Sequence, residues 1–442
     1  MDLSRTPYRT VALDQTSPPP GIPFILLNEA AERFSYYGMR AILTVYMTTA
    51  LVGLDGQASP MSGPEATSWY HFFIAITYFT PLFGAFISDV FWGKYKTIIL
   101  LSIIYCLGHL ALALDDTRVG LFLGQTFIAL GAGGIKPCVS AHLGDQFGPK
   151  NQGLLSVVYA RFYGTINLGA FFSMLLLPWL MAHQGPQWAF SLPGVLMLIA
   201  TLIFWMGRYR FAHVAPEGPI VLERLVDPQH RDALKRLGRL FLFVAIFWSL
   251  FDQTGSSWVL QGQRMTPELF GFPLVSAQIQ AANPLLILIL TPLAFTLLYP
   301  FLNRLFTLTP LRKIALGMHL GCLAFVYAGL LEWQLDRGFH LAIGWQLLGY
   351  TLLTAAEIMV SITCLEFAYR EAPKGLKSIV MALYLLSVAT GNLLTSAINH
   401  GMTLGGLEGL LKGPTYFWFF SLIMLFAAVS FMRTFKVLAP VN

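Results

Sequence analysis

Residues 96–114 read KTIILLSIIYCLGHLALAL, a long apolar run without alternation between polar and apolar positions. A run of this length can cross the hydrocarbon core of a bilayer as a helix, and the missing two-residue period argues against a strand. Eleven further stretches resemble it, so the sequence predicts an all-α membrane protein with twelve transmembrane helices. The predicted spans are 22–53, 67–91, 96–114, 119–144, 153–181, 188–207, 238–261, 279–302, 310–331, 340–368, 375–400 and 414–435.

Composition supports this class. Hydrophobic residues make up 56% of the chain and charged residues 11%, whereas about 25% of residues are charged in soluble proteins. Lipid offers no hydrogen bonds, so spanning segments must satisfy their own backbone groups, as helices do. The net charge of +6 could suggest nucleic acid in a soluble protein, but basic residues in membrane loops set orientation instead. We expect membrane lipid and no nucleic acid among the partners.

The distribution of basic residues predicts the orientation. An even number of spans places both termini on one side, and most of the 28 Lys and Arg residues lie in segments on that side. The loops on the opposite side contain four, Arg118, Arg264, Arg337 and Lys412. Residues 1–21 contain no signal-peptide pattern. By the positive-inside rule, we expect both termini in the cytosol and a multi-pass protein of the cytoplasmic (inner) membrane.

A long polar and basic loop divides the chain. The predicted regions are a cytosolic tail (1–21), a six-helix bundle (22–207), a cytosolic linker (208–237), a second six-helix bundle (238–435) and a cytosolic tail (436–442). Two such halves are typical of the major facilitator fold, in which substrate binds near the midplane. The loop sequence GAFISDVFWGKYK, residues 84–96, fits this fold. We expect Asp89 in this loop to act in gating.

The first span contains a polar stripe in the sequence NEAAERFSYYGMR, residues 28–40. Ionisable residues inside a membrane are costly and therefore indicate function. At about 100° per residue, two carboxylates, two guanidinium groups and two phenols share one helix face. They are Glu29, Glu32, Arg33, Tyr36, Tyr37 and Arg40. The stripe fits a site for a polar organic ligand, and the alternative is an ion-pair seam between helices; the phenols favour binding.

Other spans of the first half contribute polar groups. Lys136, in GAGGIKPCV (131–139), can anchor a carboxylate. His71 follows Tyr70 and is either a proton-handling residue or a hydrogen-bonded core residue. The four cysteines lie within predicted spans, with no CxxC pattern and no neighbouring His. We therefore expect no metal and no cofactor, with protons as the coupling ion.

The second half contributes acids. Asp252 lies in FDQTGSSW, residues 251–258, and Glu357 and Glu366 lie nine residues apart in one span. Nine residues correspond to about 900°, so the two glutamates point to opposite faces. Glu357 lies nearer the middle of the bilayer, and we expect it to contact substrate while Glu366 has a structural role. Cations in one half and anions in the other predict a zwitterionic ligand.

Several motifs resemble the proton-dependent oligopeptide transporter family over residues 23–392. They are ExxERFxYYG (29–38), GGIKPCV (133–139), FYGTINLGAF (162–171) and EFAYREAP (366–373). The pair Tyr70–His71 and the stretch FDQTGSSWVLQ resemble animal members more closely than many bacterial ones. The linker is too short for the two additional helices of many bacterial members. Tyr384 stands near where several bacterial members have tryptophan, which affects the expected side-chain preference.

The resemblance implies roles for individual residues. The coupling triad is Glu29, Glu32 and Arg33, and His71 handles protons; we add Asp252 to this group. Lys136 pairs with Glu357 in one state of the cycle. The expected substrate-binding residues are Arg33, Tyr37, Arg40, Tyr78, Lys136, Asn167, Asn283 and Glu357.

We therefore expect a monomeric proton-coupled symporter that imports di- and tripeptides by alternating access. The alternative within transport is a carrier of nitrate or a single amino acid, although nitrate would leave Glu357 without a partner. A drug exporter is a weaker alternative, because such cavities contain fewer charges. A membrane enzyme is disfavoured, because the chain contains no HExxH, GxSxG or phosphate-binding glycine loop. A sensor without transport activity is a further alternative, which the coupling triad disfavours.

Overall fold

The computed structural model describes residues 8–216, 218, 231–372, 377–407 and 409–437, and most of the described chain is helical. The predicted all-helical class is confirmed. The α-helices are α1 (Ile22–Thr49), α2 (Gly63–Phe79), α3 (Pro81–Ile87), α4 (Lys94–Leu114), α5 (Arg118–Gly144), α6 (Leu155–Gln184), α7 (Pro186–Met206), α8 (Arg231–Phe251), α9 (Ser257–Gln263), α10 (Ala282–Leu293), α11 (Tyr299–Leu305), α12 (Pro310–Asp336), α13 (Gln346–Glu357), α14 (Thr363–Glu371), α15 (Lys377–Thr403) and α16 (Pro414–Thr434).

Short elements join these helices. Turns of π-helix lie at Ser88–Trp92, Ala294–Leu298 and Ile358–Ile362. Turns of 3₁₀-helix lie at Gln152–Leu154, Gly207–Tyr209, Asp252–Gly255, Ser276–Ala281 and Ile343–Trp345. Strands β1 (Glu268–Leu269) and β2 (Phe272–Pro273) form an antiparallel hairpin. Each interruption of a long helix changes which side chains face its neighbours, and two of them lie beside residues of the candidate site.

Within the described residues, ten helical stretches are long and apolar enough to cross a membrane. The protein is therefore a multi-pass membrane protein. Two of the twelve predicted spans are not among these ten. Helix α1 contains 28 residues, about 42 Å at 1.5 Å per residue, but its four charged side chains lower its hydropathy. The predicted span 238–261 contains the polar turn Asp252–Gly255 between α8 and α9.

The chain forms two compact units. The first unit comprises Met1–Met39, Val52–Ala58 and Ile76–Val226, and the second comprises Arg40–Leu51, Ser59–Ala75 and Asp227–Asn442. One boundary therefore lies within α1, between Met39 and Arg40. The predicted six-helix halves stay a prediction. Residues 217 and 219–230 of the predicted linker, and 438–442 of the predicted tail, lie outside the described residues.

Close helix packing in the first unit depends on glycines. Helix α4 packs against α5 and α7. A Cβ atom on Gly108 of α4 would lie 2.7 Å from Cγ1 of Ile128, and one on Gly131 of α5 would lie 2.6 Å from Cβ of Tyr105. Small residues let helix backbones approach in a membrane, where contact depends on packing rather than on exclusion of water. The same approach fixes α5, which contains Lys136.

A segment before α1, residues 8–17, is bound to the first unit, and we call it the amino-terminal strap. The backbone N–H of His213 donates to the carbonyl of Arg9 at 2.7 Å. The ring of Tyr8 stacks on the His213 ring with centroids 4.5 Å apart, and Lys150 lies 2.9 Å from Asp14. Burial among these groups lowers the pKa of His213, the nearby Arg9 lowers it further, and a hydrogen bond to the Arg208 carbonyl partly offsets both.

The second unit has an aromatic core. Helix α8 packs against α15, and α12 packs against α13 and α16. The Trp258 and Tyr350 rings meet edge to face at 5.3 Å, an arrangement that adds about 0.5–1.5 kcal/mol to the burial of apolar area. A Cβ atom on Gly391 of α15 would lie 2.8 Å from the backbone nitrogen of Ser249. This close approach aligns α15 with the polar turn at Asp252.

Candidate functional site

One guanidinium group on α1 pairs with two buried carboxylates. Nε of Arg33 lies 2.7 Å from Oε1 of Glu29 and 3.3 Å from Oε2 of Glu32, and both glutamates are fully buried. The spacing of four residues brings Glu29 and Arg33 together on one helix face. The two acids share this one guanidinium group, and Lys136 of α5 adds a second positive charge near Glu29. A proton on one acid leaves Arg33 paired with the other acid alone.

Lys136 of α5 lies over two aromatic rings of the same unit. Its Nζ is 3.7 Å from the centre of the Tyr36 ring and 4.4 Å from that of Tyr78. A cation over an aromatic face gains about 0.5–2 kcal/mol, whereas a charge-assisted hydrogen bond contributes about 1.5–3 kcal/mol. A ligand carboxylate can therefore compete for this ammonium group.

Two other predicted residues of the first unit make more local contacts. The Tyr37 ring is half-buried and meets Tyr36 edge to face at 5.3 Å. Asn167 of α6 is buried, and its Nδ2 donates to the Tyr163 carbonyl at 3.0 Å in its own helix. Tyr37 therefore contacts Tyr36, whose ring also contacts Lys136. The hydrogen bond described for the Asn167 amide stays within its own helix.

In the second unit, Glu357 is paired with an amide. Nδ2 of Asn283 donates to Oε2 of Glu357 at 3.0 Å, and it also lies 3.1 Å from Oγ1 of Thr354. Glu357 ends α13, directly before the π-helical turn Ile358–Ile362. Such turns frequently occur at functional sites, because they rotate the side chains that follow. The pair Asn283–Glu357 presents an acceptor for a ligand ammonium group.

A buried ion pair lies in the same unit. Arg40 contacts the Asp252 carboxylate and the hydroxyl of Tyr70 through different guanidinium nitrogens, and Arg40 and Asp252 are both buried. Nδ2 of Asn392 donates to Oδ2 of Asp252 at 2.6 Å. A Cβ atom on Gly255 would collide with the Tyr70 hydroxyl. Glycine at this position therefore permits Tyr70 to reach Arg40.

His71 extends the same network. Its Nδ1 lies 2.7 Å from Oδ1 of Asn392, and its Nε2 lies 2.8 Å from Oγ of Ser256. Both ring nitrogens thus have partners on elements distant in sequence. We refer to this set as the Arg40 cluster, and its members are Arg40, Tyr70, His71, Asp252, Ser256 and Asn392.

Comparison with known proteins identifies the family of this chain. The family model PTR2, described as the POT family, matches residues 95–227 and 221–409. The chain belongs to the POT family. Among curated members, it is 36% identical to solute carrier family 15 member 2 of Rattus norvegicus over 400 residues, which are 79% of this chain and 54% of the relative. It is 36% identical to peptide transporter family 1 of Drosophila melanogaster over 371 residues, 73% of this chain and 49% of the relative.

This POT family chain thus spans about half the length of the curated relatives it matches. Solved structures match over nearly their full length. The POT family transporter PepTSo has 35% identity and a TM-score of 0.86, with 95% of this chain and 99% of that chain covered. An auto-inhibited POT family peptide transporter has 34% identity and a TM-score of 0.86, with 96% and 98% covered. The predicted family membership is confirmed.

In this POT family member, the polar stripe on α1 is divided between the two units. Helical periodicity groups Arg40 with Glu29, Glu32 and Arg33, whereas Arg40 belongs to the second unit and pairs with Asp252. Helical periodicity places a side chain on a face but does not name its partner. Ser256 and Asn392 are not among the site residues predicted from the sequence. Each is a polar residue within a predicted span, and this is the pattern that could have indicated them.

The remaining predicted residues lie at helix ends. The Glu366 side chain is 59% exposed, 4.0 Å from Arg370. Asp89 lies in the π-helical turn Ser88–Trp92, which ends at Gly93 with a φ of 75°. Next to it, Nζ of Lys94 lies 2.6 Å from Oδ2 of Asp145, the residue that follows α5. Among the described residues, no group of three or more His, Cys, Asp or Glu could hold a metal ion.

Proposed function

We propose that this POT family protein is a proton-coupled symporter that imports di- and tripeptides by alternating access. The observation that carries the proposal is the single Arg33 guanidinium shared by the buried Glu29 and Glu32. Such a group has two low-energy states, one with the cation pairing both acids and one with a proton on an acid. The Drosophila melanogaster relative that is 36% identical is named peptide transporter family 1, which supports peptides as the substrate.

Coupling follows from competition for Arg33. A peptide carboxylate that binds Arg33 withdraws the counter-charge from the glutamates, and a carboxylate that loses its cation in a low-dielectric site binds a proton more readily. Substrate and proton are then carried together. We propose that the His71 and Asp252 side chains handle protons in the same cycle, since the network of the Arg40 cluster joins them through Asn392.

We assign the two ends of the peptide to different charges. Arg33 and Lys136 bind the peptide carboxylate, and Glu357 binds the peptide ammonium group. The amide of Asn283 holds the Glu357 carboxylate in place. Tyr37, Tyr78 and Asn167 line the path of the peptide backbone. Arg40 pairs with Asp252, and its predicted role in substrate binding stays a prediction. The predicted pairing of Lys136 with Glu357 stays a prediction.

The architecture that belongs to this function is a monomer of twelve transmembrane helices in two six-helix bundles, the major facilitator arrangement. We place it in the cytoplasmic membrane with both termini in the cytosol, in agreement with the distribution of basic residues. The protein would use no cofactor other than the coupling proton and catalyse no chemical conversion.

The test is uptake of labelled dialanine into proteoliposomes, with and without an inward proton gradient. We expect accumulation to require the gradient, and unlabelled dipeptides to compete. Carboxyl-amidated and amino-acetylated dialanine should each compete poorly, because each lacks one charge. Competition by nitrate or free alanine as strong as that by dialanine would contradict a peptide substrate and favour the alternative carrier.

A further inference from the structure

The hairpin between α9 and α10 places aromatic side chains at an exposed tip. Strands β1 and β2 pair in the register Leu269 with Phe272, and the backbone N–H of Leu274 donates to the Pro267 carbonyl at 2.9 Å. Phe270 is 86% exposed and Phe272 is 73% exposed. Phe270 has a φ of 51°, a left-handed conformation that is unusual for a bulky residue. The turn thus holds an aromatic ring outward at a backbone position that favours glycine.

The hairpin lies close to the ends of membrane spans. It begins four residues after α9 ends at Gln263, and the stretch Ser276–Leu305 that follows is long and apolar enough to cross a membrane. Strand residues rise about 3.3 Å each, so arms of two or three residues reach at most about 10 Å. The headgroup layer on one side of the bilayer is roughly 5–7 Å thick. The tip therefore lies within reach of the lipid interface.

The hairpin is also continuous with other exposed aromatics. The backbone N–H of Thr266 donates to the Leu341 carbonyl at 2.8 Å, and that of Ile343 donates to the Thr266 carbonyl at 2.9 Å. These bonds join Thr266, the residue before the hairpin, to the segment between α12 and α13, in which Phe339 is 56% exposed and Trp345 is 58% exposed. Aromatic rings at the ends of spans are typical of the membrane interface.

Charge argues for lipid over a polar protein partner. From Met265 to Asn303, Glu268 is the one acidic or basic residue in the sequence. We propose that the hairpin Pro267–Leu274 is a membrane-interface anchor, whose Phe270 and Phe272 rings insert among the phospholipids of the nearer leaflet. The insertion would fix the depth of the second unit in the bilayer. The occupant of this surface is phospholipid, independent of the substrate that the protein carries.

The test uses the full chain in phosphatidylcholine liposomes. A nitroxide label is attached to a cysteine at position 270 or 272, in a chain whose four native cysteines are replaced by alanine. The matched control is a label at Asp55, an exposed polar residue of the loop before α2. We expect labels at 270 and 272 to collide more often with oxygen than with a water-soluble nickel chelate, and the reverse at Asp55.

Two results with the spin labels would overturn the proposal. Nickel accessibility at 270 and 272 equal to that at Asp55 would place the hairpin in water. Protection from both reagents would mean that protein covers it, and recovery of oxygen access on dilution in lipid would identify a second copy of the chain. A photoreactive benzoylphenylalanine at position 270 gives an independent measurement in the chain with native cysteines. A mass gain of one phospholipid supports insertion, whereas an adduct with protein contradicts it.

Discussion

Nδ1 of His71 lies 2.7 Å from Oδ1 of Asn392. The amide nitrogen of Asn392 donates to Asp252 at 2.6 Å and to the Val388 carbonyl at 2.9 Å, so its oxygen is the acceptor and Nδ1 carries the hydrogen. In the neutral ring, Nε2 then accepts from Ser256, whose Oγ lies 2.8 Å away. The network thus fixes one tautomer of His71 and ends on the Asp252 carboxylate.

Asn392→Ala should destabilise the protein and abolish gradient-driven uptake. The change leaves the His71 N–H and the Asp252 carboxylate each without one hydrogen bond, and an unsatisfied buried polar group costs about 1–3 kcal/mol. We expect a lower melting temperature in detergent. Thr390→Ala is the control, because Thr390 lies on the same helix and its hydroxyl donates to the Leu386 carbonyl of that helix. A melting temperature equal to wild type would contradict the network.

Arg40 and Asp252 should behave as a coupled pair in unfolding experiments. Arg40→Gln or Asp252→Asn leaves one buried charge uncompensated, a loss of about 3–5 kcal/mol. The double variant contains neither charge and should be more stable than the less stable single variant. The measurement is a double-mutant cycle of unfolding free energies. Losses that simply add would show that the two side chains do not interact.

Glu32→Gln should separate substrate movement from proton movement. The amide cannot exchange a proton but has nearly the same size as the acid, so the binding site should persist. We expect loss of gradient-driven dialanine uptake with counterflow exchange retained, both measured in proteoliposomes. Driven uptake at the wild-type rate would remove Glu32 from the coupling triad, and loss of both activities would indicate a folding defect.

Lys136→Met should weaken binding of a free peptide but not of an amidated one. Loss of a charge-assisted contact of about 1.5–3 kcal/mol corresponds to roughly a 10- to 150-fold change in Kd. In wild type, amidation of the peptide should have a similar effect, and in the variant it should add little. Lys96→Met is the control, because it removes the same charge at an exposed position near the start of α4. If amidation weakens binding to both proteins equally, Lys136 does not read the carboxylate.

The amino-terminal strap should be released at acid pH through His213. Its pKa is lowered when the strap is bound, so the neutral ring favours the bound state. This contribution is complete above the ordinary pKa of about 6.5 and is lost as the pH falls through the lowered value. A spin label at Val11, an exposed strap residue, should become mobile below about pH 6.5. The His213→Gln variant should show no such transition, and an unchanged transition would assign it to another group.

Local sequence information determined the class of protein and the first part of the site. The run 96–114 predicts a spanning helix because backbone groups in lipid must be satisfied within the segment itself. Glu29 and Arg33 meet because residues four apart share a helix face, and no other element is needed for that contact. The family motifs could likewise be recognised from the sequence alone. Both the helical class and the family are confirmed.

The tertiary structure decided which distant groups meet. Arg40 and Asp252 are 212 residues apart, and His71 and Asn392 are 321 residues apart. Helical periodicity gives the face of each residue, but the helix opposite that face depends on the packing of the whole unit. A buried charge must find a counter-charge wherever the fold supplies one. For Arg40 that partner is Asp252, in the turn after α8 that α1 also contacts through the Thr44 hydroxyl, which donates to the Gly255 carbonyl at 2.7 Å. The sequence contains no local pattern that predicts this partner.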